Sequence, residues 1–413
     1  MAGALSHLRV LDLTRVLAGP WCTQTLGDLG ADVIKIERPG SGDDTRSWGP
    51  QWLRSGDGKE TTDSAYFSSC NRNKRSITID VQKPEGQALV RELAAKSDIL
   101  VENYKVGDLK RFGLDYESLA KINPKLVYCS ITAYGQDGPY AERPGYDLLC
   151  QAEGGLMAIN GHADVDDGGA GGGPVKVVIA VTDVLSGLNA TIAILAAIEA
   201  RHRTGRGQRI DIALLDSVVQ FGANQIASYF LTGKQPRRVG NAHVNLAPYQ
   251  SFKTKDGFMI VGAGNDSQWR KLCSAMGHAE LANDPRYVEM KDRNKNRAAL
   301  VVDMEKILTQ QTTAFWLDKF ASLGIPHAPI NTYDQVFAHP QVKHRGLRVD
   351  LPRGAAHGGG NVAMVASPIR MSDTPVEYRY PPPANGGDTD AVLRDVLAKT
   401  EAEIQALNTR SVL

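Results

Sequence analysis

At 413 residues, 42% of them hydrophobic, the chain can bury a large core and is long enough for more than one domain. Its 47 Lys and Arg against 46 Asp and Glu leave a net charge of +1 with no basic block. That argues against nucleic acid as a partner while leaving room for one small phosphorylated molecule.

The first half alternates strand and helix signals. Leu8 to Leu13 predicts an apolar strand, followed by the turn Thr14-Arg15-Val16-Leu17-Ala18-Gly19-Pro20 and a helix through Leu29. Strands are predicted at Ala31–Glu37, Ser76–Asp80, Asp98–Tyr104 and Leu126–Thr132, with a helix opened by Pro84 and ending near Lys96. Strands spaced by helices in this way imply a parallel sheet covered on both faces, an α/β Rossmann-like domain. Ligands of such sheets bind beyond the carboxyl ends of the strands. Thr14–Gly19, Arg38–Asp43, Asn103–Gly107 and Ala133–Gly138 all follow strand ends and outline one candidate site.

Near Tyr229–Gly240 the pattern changes. Tyr249–Thr254 and Phe258–Val261 flank Asp256-Gly257, a hairpin signal, and helices are expected at Asp266–Met276 and Asn296–Gln310. The expected organisation is a large domain over 1–225, a smaller α+β domain over 226–329, and a return segment over 330–413. That segment carries helices near Thr389–Lys399 and from Glu401. Gly168–Gly173 lacks the Lys-Ser/Thr ending and glycine spacing of a phosphate loop and reads as a surface loop. Cys22, Cys70, Cys129, Cys150 and Cys273 are odd in number and unpaired in spacing, which fits reduced thiols rather than a disulfide frame or a metal site.

Asp183 stands out because no other carboxylate lies between Asp167 and Glu199. Val175–Val181 reads as a buried strand and Ser186–Arg203 as a helix, which would put Asp183 at a strand-to-helix junction. There it is either an N-cap or a carboxylate nucleophile in a dry pocket. The apolar run around it is broken by Asp, Ser, Gly and Asn, so no stretch reads as a membrane span. The start, Met-Ala-Gly-Ala-Leu-Ser-His, has no signal-peptide pattern, and a cytoplasmic protein without a membrane partner is expected.

Several strings in order resemble the class III CoA-transferases, the family of formyl-CoA transferase and carnitine CoA-transferase. They are Leu-Asp-Leu-Thr-Arg-Val-Leu-Ala-Gly-Pro at 11–20, Gly-Ala-Asp-Val-Ile-Lys-Ile-Glu-Arg-Pro-Gly-Ser-Gly-Asp at 30–43, Asn-Arg-Asn-Lys-Arg-Ser at 71–76, Val-Glu-Asn-Tyr at 101–104, Gly-Tyr-Asp at 145–147 and Thr-Gly-Arg-Gly-Gln at 204–208. The resemblance places Asp183 at the family's nucleophilic aspartate. It implies acyl transfer through an aspartyl anhydride and an aspartyl–CoA thioester, with Leu17, Ala18 and Gly19 supplying backbone donors to each oxyanion. It further implies coenzyme A or an acyl-CoA as substrate, no tightly bound cofactor, no metal, and a homodimer of interlocked chains. By the same resemblance Val16, Arg38, Lys74, Asn103, Tyr104, Arg111 and Tyr146 line the CoA site. The four-glycine loop of formyl-CoA transferase has no counterpart. Val261-Gly262-Ala263-Gly264-Asn265 is the nearest substitute, and a strand-end turn is its plain reading.

Two other readings share features of the chain. An α-methylacyl-CoA racemase carries a histidine where Tyr146 stands, and a tyrosine with a pKa near 10 shuttles protons poorly at neutral pH. A non-catalytic CoA-binding protein would keep Arg38 and Arg111 but have no use for Asp183. Within the family, strings such as Gly-Asp-Asp-Thr-Arg-Ser-Trp-Gly-Pro resemble succinate-using members, implying succinyl-CoA as donor and a short dicarboxylate or related acid as acceptor. A planar arginine fork suits the acceptor's distal carboxylate, and Arg15, Arg46 and Arg72 are the candidates, with His243 and Asn245 as further contacts.

Overall fold

The structure, a computed structural model, describes residues 3–164, 172–354 and 359–413. The chain divides into two compact units. One comprises Met1–Leu156, Val177–Ile226 and Lys343–Leu413, the other Met157–Lys176 and Ala227–Val342. Most of the Gly168–Gly173 patch lies outside the described residues.

The chain opens with Arg9–Leu13 (β1), Ala18–Asp28 (α1), Asp32–Glu37 (β2), the hairpin Trp52–Arg54 (β3) and Glu60–Ser64 (β4), and Ala65–Ser69 (α2). Lys74–Thr78 (β5), Pro84–Ala95 (α3), Ile99–Glu102 (β6), Asp108–Arg111 (α4), Tyr116–Ile122 (α5) and Val127–Thr132 (β7) follow. Then come Asp147–Glu153 (α6), Leu156–Ile159 (α7), Val181–Thr204 (α8), Arg209–Ala213 (β8), Leu214–Phe221 (α9) and Ala223–Thr232 (α10).

The sheet order is β5-β2-β1-β6-β7-β8, every pair parallel. This is the doubly wound order in which the winding reverses between β1 and β6, so the loops after those two strands diverge and open a crevice. Alternation along the strands builds two cores. Leu11, Leu13, Ile34, Ile36 and Leu100 face α3, while Val10, Val33, Ile99 and Val101 face α1 and α8. Full burial of each such side chain is worth about 1.5–3 kcal/mol. The α/β reading therefore holds for this unit.

Three expectations need correction. Val175–Ala180 is no buried strand: Val178 is 85% and Ile179 60% exposed, and among the described residues no sheet neighbour pairs with them. The run is β-branched enough to look like a strand, but Val177 N donates instead to the Gln151 side chain. The helix that follows starts at Val181, five residues earlier than read, so Asp183 sits inside its first turn. Third, α8 is long and apolar enough by length and composition to cross a membrane, because its small polar residues do not interrupt a helix. Its Ser186, Gly187, Ala190, Thr191, Ile194, Ala197 and Ile198 are nevertheless buried in the unit, which makes it a core helix.

In the second unit, Tyr249–Lys253 (β9) and Phe258–Gly262 (β10) form the expected antiparallel hairpin, with His327–Pro329 (β11) on its other edge. Helices Asp266–Met276, Arg297–Leu308 and Thr313–Ser322 bury Trp269, Leu272, Met304, Trp316 and Phe320 around it. Back in the first unit, Arg348–Pro352 (β12) and Asn361–Val365 (β13) pair as a hairpin, and helices Thr389–Leu397 and Glu401–Thr409 close the chain.

Candidate active site

The loop after β1 is built on buried charge. Asp12 is fully buried and accepts from Thr14 N at 2.9 Å, Thr14 Oγ1 at 2.5 Å and Thr23 Oγ1 at 2.7 Å, with the Lys74 ammonium at 3.1 Å. Burial alone would raise the Asp12 carboxyl, but Lys74 and Lys35 bring it down to about 2. Lys35 Nζ donates to Thr14 O at 2.8 Å and Asp43 Oδ2 at 2.9 Å. Asn103, just past β6, accepts from Arg15 N at 2.9 Å and donates to Arg15 O at 2.7 Å. Within this frame Val16 holds φ at +72°, a left-handed conformation that costs a β-branched residue about 1–3 kcal/mol.

The turn delivers the chain into α1 with its first amides free. Leu17 is the N-cap, no side chain caps it, and the first helical bond is Trp21 N to Leu17 O at 2.8 Å. Among the described residues nothing accepts from the amides of Leu17, Ala18 or Gly19, which leaves a helix-dipole end that attracts negative charge. Gly19 is required here, since an added Cβ would stand 2.3 Å from Thr14 Cγ2.

Asp183 lies in the first turn of α8 but does not cap it. Asp147 does so from α6, accepting from Thr182 N at 2.9 Å and Thr182 Oγ1 at 2.7 Å through Oδ1. Its other oxygen accepts from Gln151 Nε2 at 2.8 Å. Asp183 itself has no hydrogen-bond partner among the described residues. Burial, and then the neighbouring Asp147 carboxylate, push its carboxyl up to about 7. One turn later Gly187 packs against Ala18 O, which brings this face of α8 onto the start of α1.

These groups share an open cavity of about 400 Å³. Its wall includes Arg15, Val16, Ala18, Asn103, Tyr104, Ile131–Ala133, Arg143–Asp147, Asp183 and Leu214. A narrower cleft lined by Arg38, Ile79 and Val81 shares Arg15 and Tyr104 with it. The cleft is small, about 10 Å³, and places Arg38 beside two aliphatic side chains, while Asp183 lines the larger cavity. Among the described residues no group of three or more His, Cys, Asp or Glu is placed to hold a metal ion.

The sequence of the first 389 residues settles the family. The profile of CoA-transferase family III covers residues 5–389. The chain belongs to CoA-transferase family III. It is 45% identical over 396 residues to a succinate–glutarate CoA-transferase of Agrobacterium fabrum, covering 95% of each chain. It is 43% identical to the succinyl-CoA:glutarate CoA-transferase of Mus musculus, across 99% of this chain and 90% of that one. A crystal structure of a CAIB/BAIF family protein from Brucella suis superposes with a TM-score of 0.85 at 45% identity, covering 96% of this chain and all of the other. Membership of family III makes the chain an enzyme of CoA transfer between an acyl-CoA and a carboxylic acid.

Against that activity the arginines and lysines expected at the site separate sharply. Arg15 lines both spaces and Arg38 the smaller cleft, Arg15 with its Nε buried and without a partner among the described residues and Nη1 on Asp44 at 2.8 Å. Tyr104 lies under Arg15 at 5.6 Å, and Tyr146 stands 68% exposed at the cavity wall. Lys74 is corrected from a CoA-site residue to a structural one: it is buried, and its ammonium is used by Asp12, Pro20 O and Asn71 Oδ1. Arg46 is likewise withdrawn into the unit, bound by both Glu37 oxygens, Asp63 and Pro383 O. Arg72 is tied to Asp28 and Val365 O. Neither lines the cavity or the cleft. Arg111 is exposed on α4, paired with Asp108 at 2.9 Å, and lines neither space.

His243 and Asn245 belong to the second unit, where His243 Nδ1 accepts from Asn245 N and Leu246 N at 3.1 Å each. The Val261–Asn265 stretch is a strand end leading to a helix cap, with Asn265 accepting from Gln268 N. The candidate site also has residues around it that the sequence did not single out. Asp147 was noted only within a motif, and its capping of another helix has no sequence signal. Tyr66, edge-on to Trp48 at 5.1 Å, is close enough that the Asp183 charge adds to burial in pushing its hydroxyl up to about 12. Ile79 and Val81 carried only a strand-end signal.

Proposed function

We propose that this chain transfers CoA from succinyl-CoA to a short dicarboxylate such as glutarate, with Asp183 as the acyl carrier. The observation that carries the reading is the unbonded Asp183 carboxyl sharing one cavity with the start of α1 and its free amides. Sequence similarity to succinate–glutarate enzymes, and strings like those of succinate–hydroxymethylglutarate CoA-transferase, support the donor and acceptor class.

The Asp183 carboxylate attacks the thioester carbonyl, forming a mixed anhydride and releasing CoA thiolate. The thiolate then attacks the aspartyl carbonyl, giving an aspartyl–CoA thioester and free succinate. The acceptor carboxylate attacks that thioester, forming a second anhydride and thiolate. Thiolate attack on the acceptor's acyl carbon yields the new acyl-CoA and restores Asp183. Each tetrahedral step places negative charge on an oxygen that the Leu17–Gly19 amides and the α1 dipole would stabilise. Arg38 beside Ile79 and Val81 suits the adenine end of CoA, by stacking of a guanidinium on the base.

In this reading the first unit is the CoA-binding domain. The enzyme is a cytoplasmic homodimer, for which Leu188, Ile192, Val219 and Phe221, exposed on α8 and α9, offer an apolar surface. The test is an acceptor screen with succinyl-CoA, identifying CoA esters by mass spectrometry. Glutaryl-CoA or a related dicarboxylyl-CoA is expected. Product only from monocarboxylates would overturn the acceptor assignment.

A further inference from the structure

Val16 is the one β-branched residue among the described residues with a left-handed backbone, and it sits directly before Leu17–Gly19, of which Ala18 lines the cavity that holds Asp183. Nothing in a simple turn requires valine there, since glycine adopts this φ without steric cost. The surroundings hold it instead. Its N–H donates to Asp43 Oδ1 at 3.3 Å and its carbonyl faces Cys70 Sγ at 3.7 Å. Before it, Thr14 is fixed by Asp12 and Lys35, and Arg15 by both polar atoms of the Asn103 amide. Strain persists at a site only where the structure around it over-determines the backbone.

We propose that Val16 is a positioning residue. Its constrained left-handed turn fixes the direction in which the Leu17, Ala18 and Gly19 amides point, so that they meet the oxyanion without reorganising during the reaction. The proposal rests on the reading of those amides as oxyanion donors to an acyl group carried by Asp183. Valine restricts the backbone far more than glycine, so the frame and the side chain together leave one arrangement of the turn. Glycine would keep the left-handed conformation within reach but add others, and preorganisation would be lost without loss of the fold.

The test compares Val16→Gly and Val16→Ala with the wild type, using succinyl-CoA and glutarate. Val16→Gly is expected to keep or raise its urea midpoint, because strain is relieved at a half-buried side chain. Its kcat should fall by about 10- to 100-fold, the scale of a misplaced catalytic group. The KM for succinyl-CoA should change much less, since an interaction used mainly in the transition state is affected. Val16→Ala still disfavours alternative backbone states, so its kcat should fall less than that of Val16→Gly. Wild-type kcat in Val16→Gly would overturn the proposal. So would an equal loss in Val16→Ala, which would assign the effect to side-chain contact. The rate of acyl-enzyme formation on mixing with succinyl-CoA separates this proposal from the reading beneath it. No adduct at Asp183 in the wild type refutes the mechanism itself; a normal wild-type adduct formed equally fast in Val16→Gly refutes only the role of Val16.

Discussion

Gly187 of α8 and Ala18 of α1 touch through a missing side chain: a Cβ on Gly187 would stand 2.5 Å from the Ala18 carbonyl oxygen and 3.2 Å from Trp21 Cβ. Asp183 lies four residues before Gly187, on the same helical face one turn nearer the cavity. The close approach of the two helices therefore sets how far the carboxyl stands from the first amides of α1.

Gly187→Ala should disturb that distance. The neighbour is a backbone oxygen, which cannot rotate away, so the helices must separate. We expect destabilisation of about 1–3 kcal/mol, the range for overpacking, together with a fall in kcat. Urea denaturation and steady-state rates check this. Unchanged stability and rate would mean that the helix contact does not set the site.

Asp183 must be ionised to attack a thioester, and its carboxyl is pushed up to about 7 by burial first and Asp147 second. The kcat/KM profile should therefore fall on the acid side with a midpoint near that value. Asp147→Asn keeps an acceptor for Thr182 but removes the charge, and should move the midpoint to lower pH while leaving it above an ordinary aspartate. A midpoint that stays in place would exclude Asp147 as a contributor.

The same shift has a consequence for stability. Because the folded carboxyl binds its proton more tightly than the unfolded one, its contribution is fully present below the ordinary value of 3.8 and is lost as pH rises through about 7. Asp183→Asn has no charge to bury. Its melting temperature should exceed that of the wild type at pH 8, and the gap should narrow towards pH 4. A constant gap across that range would contradict the raised value.

Three arginines were candidates to anchor the acceptor's distal carboxylate, and only Arg15 lines the cavity. Arg15→Ala should lose preference for glutarate over butyrate. Arg46→Ala should instead weaken the fold by about 3–5 kcal/mol, the cost of breaking a buried pair, because Glu37 and Asp63 would lose their partner. Retained preference in Arg15→Ala, measured with both acids, would place the anchor elsewhere.

The strands, the hairpin and the helix after Pro84 were legible because their periodicity agrees with their burial. The loops after β1 and β6 were legible as parts of a site because ligands of a parallel sheet bind past its strand ends, although the strand order itself was not. Asp183 was visible as an isolated acid, but its setting was misread. Val175–Val181 has strand composition without a strand partner among the described residues, and no local pattern reveals that Asp147 caps α8 from 35 residues away. Lys74 and Arg46 were misplaced on a similar ground. A cation in sequence looks solvated, and only tertiary packing places Asp12 or Glu37 beside it. The sequence shows the glycine at 187 only as a break in the apolar run, because the Ala18 carbonyl that requires it belongs to another helix.

The central claim is that Asp183 becomes acylated. The direct measurement is to mix enzyme with succinyl-CoA, quench with hydroxylamine, and map the modified residue by peptide mass spectrometry. The account predicts a hydroxamate at Asp183, absent in Asp183→Ala, with no modification at Asp43, Asp44 or Asp147. Modification at another carboxylate, or turnover persisting in Asp183→Ala, would contradict it.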